Sequence, residues 1–247
     1  MAGAKDIVLR PITRQQADDV VKRFHYSHKV VKNSQVHVGV FLDGVIEGAL
    51  QFGPSLDKRK IQGLVAGTAW NGFIELNRMA FSPKLPRNSE SRAISVDLRM
   101  LRKHAPQIQW VVTFADAAQC GDGAIYRAAG FVLTGIKRNL NAWRNGDGRI
   151  VSMTTMTKGV HILNNGSASM RGLRANGFEP IGGFQLRYIV FMDPSARERL
   201  MVPVVPYSAI DEAGAGMYLG NPKRPKGHDS ADQVEVGGST PTRTLQE

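Results

Sequence analysis

The clearest pattern of apolar and polar positions lies in residues 73–131, and it predicts four successive elements. Ile94, Leu98 and Leu101 recur at the spacing of one helix face, with basic residues on the other faces. Residues 110–114 form a nearly continuous apolar run, typical of a strand covered on both faces. The predicted order is a strand at 73–81, a helix at 89–104, a strand at 110–114 and a short helix at 124–129 that ends at Gly130.

The flanking segments predict further strands around this unit. Residues 7–12 suggest a first strand, and Thr13 is a suitable N-cap for a helix that runs to Phe24. Residues 35–41 and 45–52 alternate as strands joined by a hairpin turn at Asp43 and Gly44. Residues 184–192 predict another strand. The sequence therefore predicts a mixed α/β (α+β) fold, with a central mixed twisted sheet flanked by helices.

The remaining segments are less regular. Residues 53–71 are glycine-rich and predict a surface loop, whose basic run at 58–60 either holds DNA phosphates or is a solvated edge. Residues 137–182 form a polar, basic insertion, in which arginines around Trp143 suit phosphate contact and base stacking. From Asp211 onward the composition is typical of a flexible tail. We therefore predict one domain at 1–210, with the insertion inside it, and a tail at 211–247.

The charge balance narrows the choice of partner. The chain of 247 residues carries 32 Lys and Arg against 21 Asp and Glu, a formal net charge of +11. This excess suits a nucleic acid or an anionic membrane surface, although a merely basic protein would also show it. No segment approaches the roughly 20 apolar residues of a membrane span. Cys120 is the single cysteine, so no internal disulfide is possible, which fits a reducing cytoplasm.

The start of the helix predicted at Ser89 is a candidate anion site. A helix N-terminus offers unpaired backbone N–H groups and the positive end of a dipole, which suits a pyrophosphate. Glu90 in the first turn argues against this, and an ordinary capped helix with solvated arginines is the alternative. The side chains that we expect to bind a cofactor here are Arg78, Arg87, Asn88, Ser89, Ser91 and Arg92.

Candidate catalytic groups lie at the ends of other predicted elements. His25 and Tyr26 follow the first helix, and Asp116 lies just past the strand at 110–114. Functional groups of open α/β sheets tend to collect at the carboxyl ends of strands. Because histidine with a carboxylate suits non-haem iron, His25 and Asp116 are candidate metal ligands, although a helix-end histidine also serves as a cap or a packed ring. Arg78 either binds cofactor or DNA or forms an ion pair with Glu75 or Asp116.

Two resemblances bear on these residues. The order strand, helix, strand and short helix, with A-x-G-F ending at Phe131, resembles the acetyl-CoA-binding half of the GNAT acyltransferase superfamily. The glycines of that superfamily's pyrophosphate loop are missing from residues 86–93. A narrower set of strings is similar to the Mom family of bacteriophage DNA-modification proteins, over most of residues 5–205. These strings are HYSH at 25–28, ELNRMA at 75–80, LPRNSESRA at 85–93, LRKHAP at 101–106, FADAAQCGDGAIYRAAGF at 114–131 and RYIVFMD at 187–193.

The resemblance implies a GNAT-related enzyme that adds a carbamoylmethyl (acetamido) group to the N6 amine of adenine in double-stranded DNA. It further implies acetyl-CoA as the acyl source, an association with iron, protection of phage DNA from restriction and a place in the host cytoplasm. Tyr126 corresponds to the tyrosine acid that GNAT enzymes often place near the CoA sulfur. Because the amine lies inside the duplex, the base must be flipped or unpaired, with Tyr26, Phe114 and Trp143 as stacking candidates.

Three functions stay open from the sequence. The first is adenine modification from acetyl-CoA, with Asp116, Tyr126, His25 and Tyr26 as the catalytic candidates. The second is an ordinary GNAT N-acetyltransferase that acts on a small amine or a protein. The third is a basic nucleic-acid-binding protein without catalysis. The oligomeric state is also open, with a homodimer among the options.

Overall fold

The computed structural model describes residues 3–117, 121–139, 142–148, 150–152, 170–218 and 221–222. The strands are β1 (Val8–Pro11), β2 (Val36–Leu42), β3 (Val45–Gly53), β4 (Phe73–Phe81), β5 (Trp110–Asp116), β6 (Val132–Asn139), β7 (Ala142–Arg144), β8 (Ile150–Ser152), β9 (Glu179–Pro180), β10 (Gly183–Phe191), β11 (Met217–Tyr218) and β12 (Asn221–Pro222). The helices are α1 (Arg14–Phe24), α2 (Lys58–Gln62), α3 (Ser89–His104), α4 (Ala124–Ala128), α5 (Met170–Ala175), α6 (Pro194–Glu198) and α7 (Ser208–Glu212). Within these described ranges, no helix is long and apolar enough to cross a membrane.

A seven-stranded sheet in the order β1-β2-β3-β4-β5-β10-β6 organises the chain. Its neighbours pair antiparallel except β4 and β5, which run parallel and are joined through α3. A parallel pair needs a crossover connection, and here α3 supplies it. The predicted fold class, a mixed α/β fold with a central mixed sheet flanked by helices, is confirmed.

Two apolar layers cover the sheet. On the side that we call the α1 face, Ala17, Val20 and Val21 of α1 pack against Ala49 and Ala80 of the sheet. A second cluster on this face joins residues 64–65 to the start of β4 and β5. On the other side, the α3 face, the buried residues of α3 pack with apolar side chains from six strands of the sheet and with α4. The sheet separates these clusters, so a gap between strands would link the two faces.

Local sequence explains where the two long helices begin. Thr13 accepts a hydrogen bond from the Gln16 backbone, and the Gln16 side chain returns one from the Thr13 backbone, which is a capping box. α3 runs over the predicted residues, and its buried positions recur at helical spacing. Its preceding residue, Asn88, adopts a left-handed conformation and offers no side-chain cap.

The structure corrects one predicted loop and shows the ends of other elements. Residues 58–62 form a helix instead of a loop, because Asp57 caps the Lys60 backbone. β6 continues to Asn139, since β10 supplies a pairing partner along this length. Part of the predicted insertion forms a three-stranded sheet in the order β8-β7-β9. In the predicted tail, α7 reaches Glu212 and Ala215 is buried in the core, while residues 223–247 lie outside the described residues.

Candidate active site

The central feature of the site is a cleft between β4 and β5. The two strands pair over four positions, from Phe73 opposite Trp110 to Leu76 opposite Thr113. The register of β3 against β4 then shifts, so that Asn77 is an extra residue in β4. The Thr113 hydroxyl donates to the Leu76 carbonyl at 3.0 Å, at the last paired position. Beyond it, each strand pairs only with its outer neighbour among the described residues, and we call this unpaired stretch between β4 and β5 the cleft.

The N-terminus of α3 carries a hydroxyl without a protein partner. Ser89 is fully buried, and its Oγ has no hydrogen-bond partner among the described residues. Ser91 donates its hydroxyl to the Asn88 carbonyl at 3.3 Å, so this side chain closes the turn. Arg87 and Arg92 are exposed on either side. The combination of an uncapped helix start, an unpartnered buried hydroxyl and two exposed guanidinium groups fits the phosphates of a coenzyme A.

His25 ends α1 as a buried, neutral imidazole. Its Nδ1 accepts from the Ser27 backbone N–H at 3.1 Å and lies 2.8 Å from the Ser27 hydroxyl, so its proton is on Nε2. Burial, followed by the charges of Arg78 and His28, lowers the pKa of His25 to about 3. The Tyr26 ring, about half exposed, packs on the imidazole at 4.3 Å between centroids. This arrangement presents an N–H donor at neutral pH.

Arg78 connects the loop after α1 to β4. Its Nε donates to the Lys29 carbonyl at 3.0 Å and its Nη1 donates to the Asn77 carbonyl at 3.3 Å. Alternation along β4 places Arg78 and Glu75 on the α1 face. Burial raises the pKa of Glu75, and the Ser55 hydroxyl and Arg78 oppose that rise. Arg78 therefore holds the segment that carries His25 against β4, beside the cleft.

Asp116 is the last residue of β5, because the strand runs two residues beyond the end at Phe114 that the sequence predicted. It pairs with Gln185 of β10, and alternation with Phe114 places it on the α1 face. Phe114 is partly buried against the apolar cluster of that face. The carboxylate of Asp116 and the His25–Arg78 group thus belong to the same side of the cleft.

Tyr126 lies on the other side. It is buried in the core of the α3 face, with ring centroids 5.7 Å from Phe131 and 5.6 Å from Tyr188. Tyr188 donates its hydroxyl to the Asp122 carbonyl at 2.5 Å, and Arg127 pairs with Asp122 at 2.9 Å. The loop before α4 is therefore fixed from both sides. The site residues divide between the two faces, and the cleft joins them.

The predicted iron site does not fit these residues. Within the described part of the chain, no three His, Cys, Asp or Glu side chains are grouped to hold a metal ion. The Nδ1 lone pair of His25 is already used by the Ser27 amide. Cys120 lies outside the described residues. Among the residues that the structure describes, His25 and Asp116 therefore have no third ligand of these types.

One stacking candidate was wrong, and three further side chains were missed. Trp143 is fully buried, so its ring cannot receive a flipped base. Leu56 is 98% exposed and Trp70 about half exposed, both close in sequence to the basic run at 58–60. Leu56 is an isolated apolar residue two positions before that run, whereas Trp70 follows other apolar residues and gives no such signal. Asp97, buried in α3 without a partner, gives no sequence signal because it stands among ordinary helix positions.

A comparison with models of known protein families matches one family. Residues 6–209 match the Mom protein family. The chain is 35% identical over 211 residues to the methylcarbamoylase mom of Escherichia phage Mu, across 83% of this chain and 85% of that protein.

Solved structures give weaker similarities. The ribosomal-protein-S18-alanine N-acetyltransferase of Escherichia coli has a TM-score of 0.43 and 12% identity, over 76% of this chain and 94% of that one. An N-acetyltransferase of Staphylococcus aureus Mu50 has a TM-score of 0.45 and 9% identity, over 76% and 99%. Because these TM-scores and sequence identities are low, the functional argument rests on the family match.

Proposed function

Because the chain belongs to the Mom protein family, we propose that it modifies DNA, transferring a group derived from acetyl-CoA to the N6 amine of adenine. The product would be the carbamoylmethyl adduct, formed on phage DNA in the host cytoplasm as a protection from restriction. Its formation would join the acetyl methyl carbon to N6 and replace the thiol of coenzyme A by an amide nitrogen, so the reaction would also need an ammonia-type nitrogen donor and a two-electron oxidant as co-reactants. The name of the phage Mu relative, a methylcarbamoylase, supports this reaction class. The single observation that carries the proposal is the cleft between β4 and β5, which begins beyond Leu76 and Thr113.

The donor would enter from the α3 face. Ser89 with the uncapped start of α3, together with Arg87 and Arg92, would bind the pyrophosphate. The extended arm of coenzyme A would lie in the cleft, beside the β4 edge that β5 leaves unpaired after Leu76. Its thioester would then reach the level of Asn77 and Phe114, where the α1 face becomes accessible. Tyr126, on the α3 face, is our candidate acid near the sulfur.

The adenine would enter from the α1 face. Asp116 is our candidate group for receiving the proton that the amine loses, because its carboxylate belongs to this face at the end of β5. His25, neutral because its pKa is lowered to about 3, would donate from Nε2 to the substrate. Arg78 would position His25 and Tyr26 through the Lys29 carbonyl. No step is assigned to iron.

The substrate must be unpaired before it reacts, since an adenine amine inside the duplex cannot reach a buried thioester. The net charge of +11 supports binding to the phosphate backbone and predicts strong salt dependence of DNA affinity. The exposed half of Tyr26, beside His25, is a suitable surface for stacking a flipped base.

Nucleoside mass spectrometry of DNA from cells that express the chain tests the proposal. We expect a modified adenosine in cells with the wild-type protein and a loss of at least about 100-fold with Asp116→Asn, which keeps the shape but not the basicity. Asp147→Asn, an exposed position in the β7–β8 turn, is the matched control. Unmodified DNA together with acetyl transfer to a small amine would instead indicate an ordinary N-acetyltransferase. Unmodified DNA with tight DNA binding would indicate a binding protein without catalysis.

A further inference from the structure

We propose that Leu56 is a wedge that enters the DNA duplex and holds the target adenine outside the base stack. The proposal rests on the proposed DNA-modifying function and adds the way in which the duplex is opened. Leu56 is 98% exposed, more than any other large apolar side chain among the described residues. Minor-groove and base-flipping proteins use an apolar side chain of this kind to separate base steps.

The loop that carries Leu56 is fixed on both sides. Asn33 donates its side-chain amide to the Pro54 carbonyl at 2.7 Å. Ser55 is buried, although its hydroxyl has no hydrogen-bond partner among the described residues. On the other side, Asp57 caps the backbone of Lys60 in α2. A fully exposed leucine between two anchored neighbours is presented rigidly, so little conformational entropy is lost when it inserts.

The surroundings of Leu56 suit a polyanion. Three cationic residues, 58–60, follow it within four positions, and Arg59 and Lys60 are exposed. Among the described residues, no carboxylate forms an ion pair with this run. Asp57 is the nearby negative charge, and its side chain is engaged by the start of α2. This charge pattern favours DNA phosphates over an apolar protein surface.

A partly exposed aromatic ring completes the surface. Trp70 is 52% exposed, and the Lys58 ammonium lies 4.3 Å from its ring centroid. Lys58 also lies 5.8 Å from the Phe73 ring, which in turn stacks on Trp110 at 4.5 Å. Lys58 and Trp70 thus contact the start of β4, which packs on β5, so this part of the surface is held by the sheet.

The position of the loop relative to the cleft suits the role of a wedge. The loop follows Gly53, the last residue of β3, which pairs with Glu75, a residue on the α1 face. Glu75 is two residues before Asn77, where β4 leaves β5. Leu56 therefore lies on the rim of the face from which we expect the adenine to enter. A wedge inserted here would leave the displaced base close to the cleft.

The test begins with DNA from cells that express the wild-type chain. The modified adenines are mapped, and a duplex is made with 2-aminopurine at one mapped position, since this base fluoresces when it leaves the stack. We expect wild-type protein to raise the fluorescence on binding. We expect Leu56→Ala to keep the duplex affinity within about threefold while losing at least about four fifths of that rise. Leu56→Phe, which restores a large apolar side chain, should recover it.

Val45→Ala is the matched control, because Val45 is also exposed and apolar but lies at the opposite end of β3. A duplex in which the 2-aminopurine faces an abasic site removes the need for a wedge, so Leu56→Ala should give the wild-type signal on it. Equal fluorescence from Leu56→Ala and wild type on the paired duplex would overturn the inference. A loss of signal on the abasic duplex as well would also overturn it. DNA without modified adenines would overturn the proposed function and the wedge together.

Discussion

Asp97 offers a quantitative test of the packing beneath α3. Its side chain is 1% exposed, and neither carboxylate oxygen has a hydrogen-bond partner among the described residues. Burial therefore raises the pKa of this carboxyl from 3.8 to about 7. Replacement by Asn keeps the shape of the protonated side chain and removes its ability to ionise. The free energy of unfolding of Asp97→Asn should consequently differ from that of wild type only at pH values where the wild-type carboxyl is ionised in the unfolded or the folded state.

Proton linkage gives the sign and the size of the effect. Between pH 3.8 and about 7 the folded chain holds a proton that the unfolded chain has lost, so the free energy of unfolding falls as pH rises through this window. Each unit of pKa difference corresponds to about 1.4 kcal/mol, which gives about 4 kcal/mol above the folded pKa. Below the lower end of the window the carboxyl is neutral in both states, and the cost disappears.

The assay is urea unfolding of wild type and Asp97→Asn at several pH values across and above this window. We expect the variant to be more stable by about 4 kcal/mol at about pH 8, with a difference that shrinks towards zero at about pH 4. Glu212→Gln, at an exposed residue of α7, is the control and should leave the pH profile unchanged. A constant difference at all pH values, or a less stable variant at about pH 8, would refute the reasoning.

Two further predictions concern the α4 loop and α3. Gly123→Ala would place a Cβ 2.6 Å from the Tyr188 ring at a φ of +73°, whereas the Cβ of Gly130→Ala, at a φ of +88°, meets nothing within 4 Å. Urea unfolding should show Gly123→Ala to be less stable than Gly130→Ala by about 1–3 kcal/mol. Equal losses of stability would contradict the close packing at Gly123. Ser89→Ala should weaken coenzyme A binding about tenfold in calorimetry without lowering stability, because the hydroxyl has no protein partner. Ser95→Ala, which removes only a 2.8 Å bond to the Ser91 carbonyl, should leave that affinity unchanged, and equal affinities for all three proteins would contradict the assignment.

The elements could be predicted where local signals agree with the fold. The capping pair Thr13 and Gln16 fixes the start of α1, and the apolar spacing of α3 gave its two ends correctly. The apolar run of β5 reflects its burial in the middle of the sheet. These signals act over a few residues, so they are visible without knowledge of the tertiary structure.

The geometry of the site depends on contacts that are distant in the sequence. The extra residue Asn77 appears only when β3 and β4 are aligned. The burial of Trp143 depends on strands from residues 142–152 and 179–180, which local pattern could not bring together. The loss of the Nδ1 lone pair of His25 depends on the turn that brings the Ser27 amide to it. Sequence reasoning could therefore name candidate site residues but not their division between the two faces.

The central claim is that the cleft beyond Leu76 and Thr113 holds acetyl-CoA for transfer to DNA. The most direct measurement uses a lysate of cells that express the chain, which supplies the nitrogen donor and the oxidant, together with DNA and acetyl-CoA with both acetyl carbons isotopically labelled, followed by mass spectrometry of the released nucleosides. The account predicts a modified adenosine that contains both labelled carbons and that is lost in the Asp116→Asn variant. Modified adenosine without the label, or label found only on protein amines, would contradict it.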